Sequence, residues 1–363
     1  MRKLIAVLAA LMFAAPAFAA VQNVKVSGDI DATYISRNHF NLGKGIGNNI
    51  VNGPEAGLSD QNDFISQTRV RIDADLSDNV STAVGLINER AWDAEASSNT
   101  DIQLYLAYAT LREFLYSPLS VTVGRQVFAY GNGLIIGDGG ANNVATGNLA
   151  TVAADLTKRS TYDGVKAVLD YKPLTLDLIY FRNNSGPTTG TNTGSLSAAR
   201  DNDDVFGINA NYQLGDAMNT VVEGYFFGRK NDNTFNTTTK ADTIYVPGLR
   251  VSTNPIKGLN TQVELAWQAG SKAVTADGGI TGGDNIRREA MAAQFMATYE
   301  VPAMEKYKPV ASASYTYISG DKNGDLARPT TSTGVSASGE TYGAWDPMFE
   351  AQGGGTIYNT LLD

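Results

Sequence analysis

Past its first twenty residues the chain alternates apolar and polar positions with a period of two. Between Phe64 and Leu76 one face carries Phe64, Ser66, Thr68, Val70, Ile72, Ala74 and Leu76. The other carries Ile65, Gln67, Arg69, Arg71, Asp73 and Asp75. A strand sends successive side chains to opposite sides, so this pattern predicts a strand with one mostly apolar and one mostly charged face. The same alternation sets Ile102, Leu104, Leu106 and Tyr108 against Gln103, Tyr105 and Ala107, and Phe206, Ile208, Ala210 and Tyr212 against Gly207, Asn209, Asn211 and Gln213. Leu259, Thr261, Val263, Leu265 and Trp267 oppose Gln262, Glu264, Ala266 and Gln268. About thirteen strands are predicted, starting near Lys25, Phe64, Val80, Asp101, Leu119, Tyr162, Leu174, Asp204, Met218, Thr243, Leu259, Ala290 and Lys308.

The connections alternate as well. Short ones hold Ser77-Asp78-Asn79, Ser117-Pro118, Lys172-Pro173, Gly215-Asp216 and Asn254-Pro255, with a longer link from Val301 to Tyr307. Pro presets φ, and Gly, Asn and Asp tolerate left-handed backbone, so these read as tight turns. Between them lie polar segments over roughly 38–62, 89–100, 131–160, 183–203, 230–242, 270–287 and 320–341. Outer-membrane barrels show this rhythm, with short periplasmic turns and long extracellular loops. Tyr105, Tyr108, Tyr116, Tyr171, Tyr180, Tyr212, Tyr225, Tyr299, Tyr315 and Tyr317 fall within strands or at their ends, where interfacial girdles sit. Inside lipid only a closed barrel satisfies every backbone group of a sheet. The fold class predicted is therefore all-β, a transmembrane antiparallel up-and-down β-barrel.

The first segment reads differently. Arg2 and Lys3 precede an apolar run from Leu4 to Phe13, then Pro16 and the small-residue site Ala17-Phe18-Ala19. Residues 1–19 have the three-part form of a cleaved secretory signal. Residues 20–363 form a single barrel domain in this reading, exported to a Gram-negative outer membrane.

Composition then removes whole classes of chemistry. There is no Cys and one His among 363 residues. No disulfide, thiolate metal site or Cys nucleophile is available, and a Ser-His-acid centre would have to use His39, which lies among Gly43, Gly45 and Gly47. A net charge of −9 argues against nucleic acid as a partner. Asp321-Lys322-Asn323-Gly324-Asp325 opens like a calcium loop, but Ser332 stands where the closing Glu would fall. Asp321, Asn323 and Asp325 are thus a weak calcium candidate on a polar turn, and no cofactor is expected.

The charged face of the strands is the candidate site. Arg69 and Arg71 share a face with Asp73 and Asp75, Lys166 shares one with Gly164 and Asp170, and Glu223, Tyr225, Phe227 and Arg229 share another. Opposite charges on a lumen wall hold long side chains in place and set the field seen by a solute.

Four stretches carry a family resemblance. Val123-Gly124-Arg125-Gln126, with Tyr130-Gly131 and Leu134-Ile135-Ile136-Gly137 after it, resembles the Gly-Arg-Gln … Tyr-Gly … Leu-Ile-Gly signature of the alginate-export family of outer-membrane barrels. Arg159-Ser160-Thr161-Tyr162-Asp163, Ser319-Gly320-Asp321 and Trp345-Asp346-Pro347-Met348-Phe349 are similar to further family stretches in the same order. The resemblance implies a monomeric barrel of about eighteen strands that passes an anionic polysaccharide such as alginate, or another polar solute, through an arginine-rich constriction. Arg125, Arg159 and Lys166 are the matching basic positions. Val121, Val123 and Val127 share the face of Arg125, so that residue reaches the lumen only across a bulge and otherwise sits at the outer rim. Thirteen strands is odd where bacterial single-chain barrels use even numbers, so the chain reads as C-terminally truncated. A general non-selective porin and a surface adhesion or scaffold barrel remain the alternatives, all three with the lipid bilayer as partner.

Overall fold

The structure is a computed structural model that describes residues 22–38, 60–92, 102–137, 158, 161–184, 202–231, 241–273, 285–301, 306–321 and 341–349. The strands are β1 (Gln22–Asn38), β2 (Asp60–Ser77), β3 (Val80–Ala91), β4 (Gln103–Leu111), β5 (Leu119–Gln126), β6 (Tyr162–Asp170) and β7 (Leu174–Asn184). They continue with β8 (Asn202–Gln213), β9 (Val221–Asn231), β10 (Asp242–Ile256), β11 (Leu259–Ala273), β12 (Asn285–Glu300), β13 (Val310–Ile318) and the two-residue β14 (Thr341–Tyr342). β1 to β13 pair in chain order, each antiparallel to the next, while β14 lies parallel to β12. This is an up-and-down sheet; among the described residues β1 and β13 each pair on one side only.

The period-two pattern explains the two faces. In β3, Val84 and Leu86 stand exposed while Ala83, Ile87, Glu89 and Ala91 are buried on the opposite side. The exposed face continues through Phe64, Val70 and Ile72 of β2, Leu178 and Tyr180 of β7, Phe206 and Ile208 of β8, Phe226 of β9, and Val263 and Trp267 of β11. Ile30 is 77% exposed and Tyr315 68%. A soluble monomer rarely shows an apolar patch beyond roughly 300–600 Å². A face of this kind running across thirteen strands is built for hydrocarbon.

The other face is covered by two segments that follow strands. Phe128, Leu134, Ile135 and Ile136, just beyond β5, are buried on it, as are Trp345, Met348 and Phe349, just beyond β14. Together they pack on Tyr162, Phe181, Val205, Tyr225, Phe227, Ile244, Val246, Ala266, Ala290 and Ala292. We call this the inner face. The two segments also meet each other in a parallel bridge between Ile136 and Phe349. Phe349 N–H donates to the Ile135 carbonyl at 3.0 Å, and Gly137 N–H donates to that of Phe349 at 2.8 Å.

Eleven of the thirteen strands begin within three residues of the expected positions. β8 begins at Asn202, so Asp203, expected in a loop, is a buried strand residue that accepts from Asn231 at 2.9 Å. β12 begins five residues before Ala290, because Arg287 and Arg288 continue the alternation beyond the apolar stretch. The segment from residue 131 was expected to lie outside as a loop, yet 131–137 return onto the inner face. Their run Leu134-Ile135-Ile136 gains more from burial there than its glycine-rich surroundings suggest. Three of the ten tyrosines are not at an outer girdle: Tyr105 and Tyr225 are buried, and Tyr108 meets Arg71 on the inner face. Residues 1–19, Arg159, Asn323 and Asp325 lie outside the described residues.

Candidate functional site

The inner face of β1 to β3 is a wall of alternating charge. Strand register puts Asp29 opposite Arg69 and Lys25 opposite Asp73. Arg69 donates to both oxygens of Asp29 at 3.0–3.2 Å, and Arg71 grips Asp73 at 2.7–3.0 Å while also donating to the Tyr108 hydroxyl at 3.1 Å. Lys158 pairs with Asp31. Deeper in, the Gln67 amide donates to the Glu89 carboxylate at 2.6 Å, and Glu89 also accepts from the Lys158 backbone N–H. Towards the short turns this wall opens into a cleft of about 410 Å³ lined by Lys25, Arg71, Asp73, Asp75, Tyr108 and Arg112, among others.

The second group holds the tip of the segment after β5. Arg250 of β10 donates to Glu223 of β9 at 2.9 Å, to Gln262 of β11 at 2.7 Å and to the Asn132 side-chain oxygen at 3.2 Å. Gly131 N–H donates to Glu223 and Asn132 N–H to Glu264, whose carboxylate also takes the Tyr225 hydroxyl at 2.7 Å. The Asn132 amide reaches Gln294 of β12. Four strands therefore converge on two residues of an inserted segment. Next to that tip Tyr130 is partly buried, and burial first, then nearby Asp177, push its phenol well above its ordinary pKa, so it stays neutral.

Gly131 has φ of +58°, and a Cβ there would stand 3.1 Å from the Glu264 carboxylate. Both the left-handed backbone and the close approach select glycine. Gly131→Ala is expected to destabilise the docked tip by roughly 1–2 kcal/mol, read as faster limited proteolysis within 127–137. Unchanged cleavage would show that the tip tolerates a side chain.

The third group centres on Asp346. Arg229 of β9 donates to both its oxygens at 2.9 and 3.1 Å, and Arg288 of β12 lies 3.5 Å away. Arg288 also grips Asp242 of β10 at 2.9 Å and is 1% exposed. Gln268 of β11 both donates to the Asp346 carbonyl and accepts from its N–H, the pairing a backbone strand would make. Burial works against the charged form of Asp346, but Arg229 and Arg288 outweigh it and hold the carboxyl below its usual range.

The structure brings part of the expected site together. Arg69, Arg71, Asp73 and Asp75 lie on one inner wall, and Lys166 stands on the inner face of β6 beside Asp177 of β7. Arg125 does not join them. β5 pairs with β4 and β6 without a register shift, so Arg125 keeps the face of Val123 and Val127 and points outward, gripping Asp163 at 2.6 and 2.9 Å. Asp321 is described, but no cluster of three metal-ligating side chains occurs among the described residues.

A sequence model of the family described as alginate export matches residues 49–355. The chain belongs to the alginate export family. It is a porin-like outer-membrane channel protein whose wall is the sheet described above. No curated protein matches the sequence. Solved structures similar to it include a BenF-like porin from Pseudomonas fluorescens Pf-5, 13% identical with a TM-score of 0.46, covering 83% of this chain and 84% of that one. OpdO of Pseudomonas aeruginosa is 12% identical with a TM-score of 0.44, over 83% and 81%. The Vibrio cholerae outer-membrane protein OmpT, in its trimer form, is 10% identical with a TM-score of 0.40, over 82% and 88%.

Within this alginate-export chain the sequence reading passed over Arg250, Glu264, Asp242 and Arg288 as site residues. Arg250 had a usable signal, since Leu249 and Val251 set it on the polar face of its strand. Arg288 had none, because it follows another arginine. Asp346 stands in the Trp345-Asp346-Pro347-Met348-Phe349 stretch, where no strand alternation assigns it a face.

Proposed function

We propose that this family member is a passive conduit for a polar, anionic solute, with a uronate-type polysaccharide as the class that fits the family description. The observation carrying this reading is the inner wall of β1 to β3, where Lys25, Arg71 and Arg112 line the cleft of about 410 Å³ within a charged surface. An anion moving along such a wall exchanges hydration for guanidinium and ammonium contacts that are held in place by carboxylates and so need no reorganisation. Arg69, Arg71 and Lys166 are the contacts we assign to the solute. Asp73 and Asp75 orient the cations and keep binding weak enough for release.

A general porin is the second reading, favoured by the pairing itself. Arg69 and Arg71 each have a carboxylate within 3.2 Å, which flattens the field a passing ion meets. Reversal potentials in planar bilayers under a salt gradient separate the two. Wild type is expected to prefer anions, and Arg69→Gln with Arg71→Gln to lower the anion-to-cation permeability ratio by about twofold or more. An unchanged ratio would leave the general porin. Absence of any conductance from the folded protein would favour the adhesion or scaffold reading instead.

A further inference from the structure

The register of the sheet lines up charges on the side that faces lipid. Arg125 stands opposite Asp163, Asp163 opposite Arg182, Arg182 opposite Asp204, and Asp204 opposite Lys230. The row continues through Thr243 and Ser271 to Arg287. It therefore crosses eight strands, from β5 to β12, at one level, and with strands ~4.8 Å apart it spans roughly 34 Å. Each member shares its strand face with exposed apolar side chains: Val127 with Arg125, Leu178 and Tyr180 with Arg182, Phe206 with Asp204, Phe226 with Lys230, Met291 with Arg287. These charges consequently stand on the lipid-facing surface, at the end of the strands that leads into the long segments.

One residue pair nearer the middle of the sheet, the same face carries Val123, Val165, Tyr180, Phe206 and Tyr245, and the next level carries Val121, Ala167, Leu178, Ile208, Phe226 and Trp267. From the centre outwards, a wholly apolar level gives way to one that carries the tyrosines Tyr180 and Tyr245, and then to charge. Charge on the lipid face is tolerated where the hydrocarbon ends, so the row marks a headgroup level. Short turns lie at the opposite end, which makes this the outer leaflet.

The row carries four cations and two carboxylates, with Glu289 at the next level paired to Arg287. Each of the three nitrogens of Arg125 has an acceptor, in Asp163 or the Leu104 carbonyl. Arg182 is different: its Nε donates to Asp204 and one terminal nitrogen to the Tyr180 hydroxyl, and the other terminal nitrogen takes no partner among the described residues. Its side chain is 47% exposed and that of Arg287 73%. Guanidinium groups of this kind, oriented by a carboxylate on one edge and open on another, suit phosphate oxygens.

We propose that Arg182, Lys230 and Arg287, ordered by Asp163, Asp204 and Arg125, form a docking belt for phosphate-bearing lipid headgroups of the outer leaflet. The belt is separate from the solute path and depends only on the protein's place in the outer membrane. Phosphates settle on the cations while acyl chains lie along Tyr180, Phe206 and Tyr245 below.

The test titrates full-length refolded protein in neutral detergent with lipid A, and counts bound lipids by native mass spectrometry. Phosphate-free lipid A and inorganic phosphate serve as the other probes. Retention of the phosphorylated lipid at least fivefold above the phosphate-free form is expected. The variant Arg182→Gln with Lys230→Gln and Arg287→Gln should lose most of that difference, and Lys166→Gln on the inner face should keep it. Lys230→Gln with Arg287→Gln, which touches neither Asp163 nor Asp204 pairing to arginine, covers the case in which the triple variant does not fold; it should lose at least half. Equal retention of both lipids, retention unaffected by these variants, or equal competition by inorganic phosphate at the same concentration would overturn the proposal.

Discussion

Asp346→Ala is expected to release the segment 341–349 from the inner face and to raise single-channel conductance. The carboxylate accepts from Arg229 and is an ion-pair partner of Arg288, and Asp242 alone cannot balance both guanidiniums. Leaving a buried cation without its partner costs about 3–5 kcal/mol. The segment keeps the pairing of β14 with β12, the Ile136–Phe349 bridge, the aromatic contact of Phe349 with Tyr162 and Phe181 at centroid distances of 5.3 and 5.4 Å, and the Gln268 pairing. We expect the stranded charge to outweigh these contacts around Asp346. Trp345, now 4% exposed, would enter water, so its emission should shift to the red as conductance rises. Asp346→Ala with Arg288→Met should recover part of the loss, because the charge left behind is removed as well. A variant with unchanged emission and conductance would mean the ion pairs add nothing to docking.

The pH dependence of the same contact has a definite sign. The folded-state pKa of Asp346 lies below its ordinary value, so its stabilising contribution is present above the unfolded value and is lost only as pH falls through the folded one. Docking should therefore hold from neutral pH down to the ordinary aspartate range near ~3.9 and weaken only below it. Release on the way from pH 7 to pH 5 would contradict this.

Arg250→Ala is the second change expected to have a large effect. Arg250 is the cation between Glu223 and the inserted tip at Asn132, and the Glu223 side chain is 4% exposed. Without it Glu223 and Glu264 face each other across Gly131 with no guanidinium between them, at a cost of about 3–5 kcal/mol. The tip should detach, with faster cleavage inside 127–137 and a shift of permeability towards cations. Arg250→Lys should not restore wild-type behaviour, because one ammonium cannot span Glu223, Gln262 and Asn132 as the planar fork does. Wild-type selectivity and protection in Arg250→Ala would show that Arg250 does not hold the tip.

Most of the wall was legible in the sequence. Alternation assigned Arg69, Arg71, Asp73 and Asp75 to one face and Val70 and Ile72 to the other, and the structure separates them the same way. Arg125 shows the same rule prevailing over a motif. Its valine neighbours put it outside, and with no bulge to turn the strand it stayed there. The two inserted segments were harder. Leu134-Ile135-Ile136 and Trp345-Asp346-Pro347-Met348-Phe349 are short apolar runs within polar stretches, which a loop tip and a buried plug can share equally.

The sequence by itself determined the strands, their order and, outside β4, which side of each meets lipid, because the pleat is local and two residues suffice to define a face. In β4 a register shift against Gly85 and Leu86 leaves Leu104 exposed but turns Leu106 and Tyr108, expected on the same face, inward. Only the tertiary structure decided which charges meet across the inner face. Asp346 finds Arg229 across 117 positions and Asn132 finds Arg250 across 118. Such pairs depend on where a segment folds back and on the register of strands far from it. No periodicity records that, since it is set by the burial of Phe349 and Ile136 against a wall assembled from seven different strands, β6 to β12.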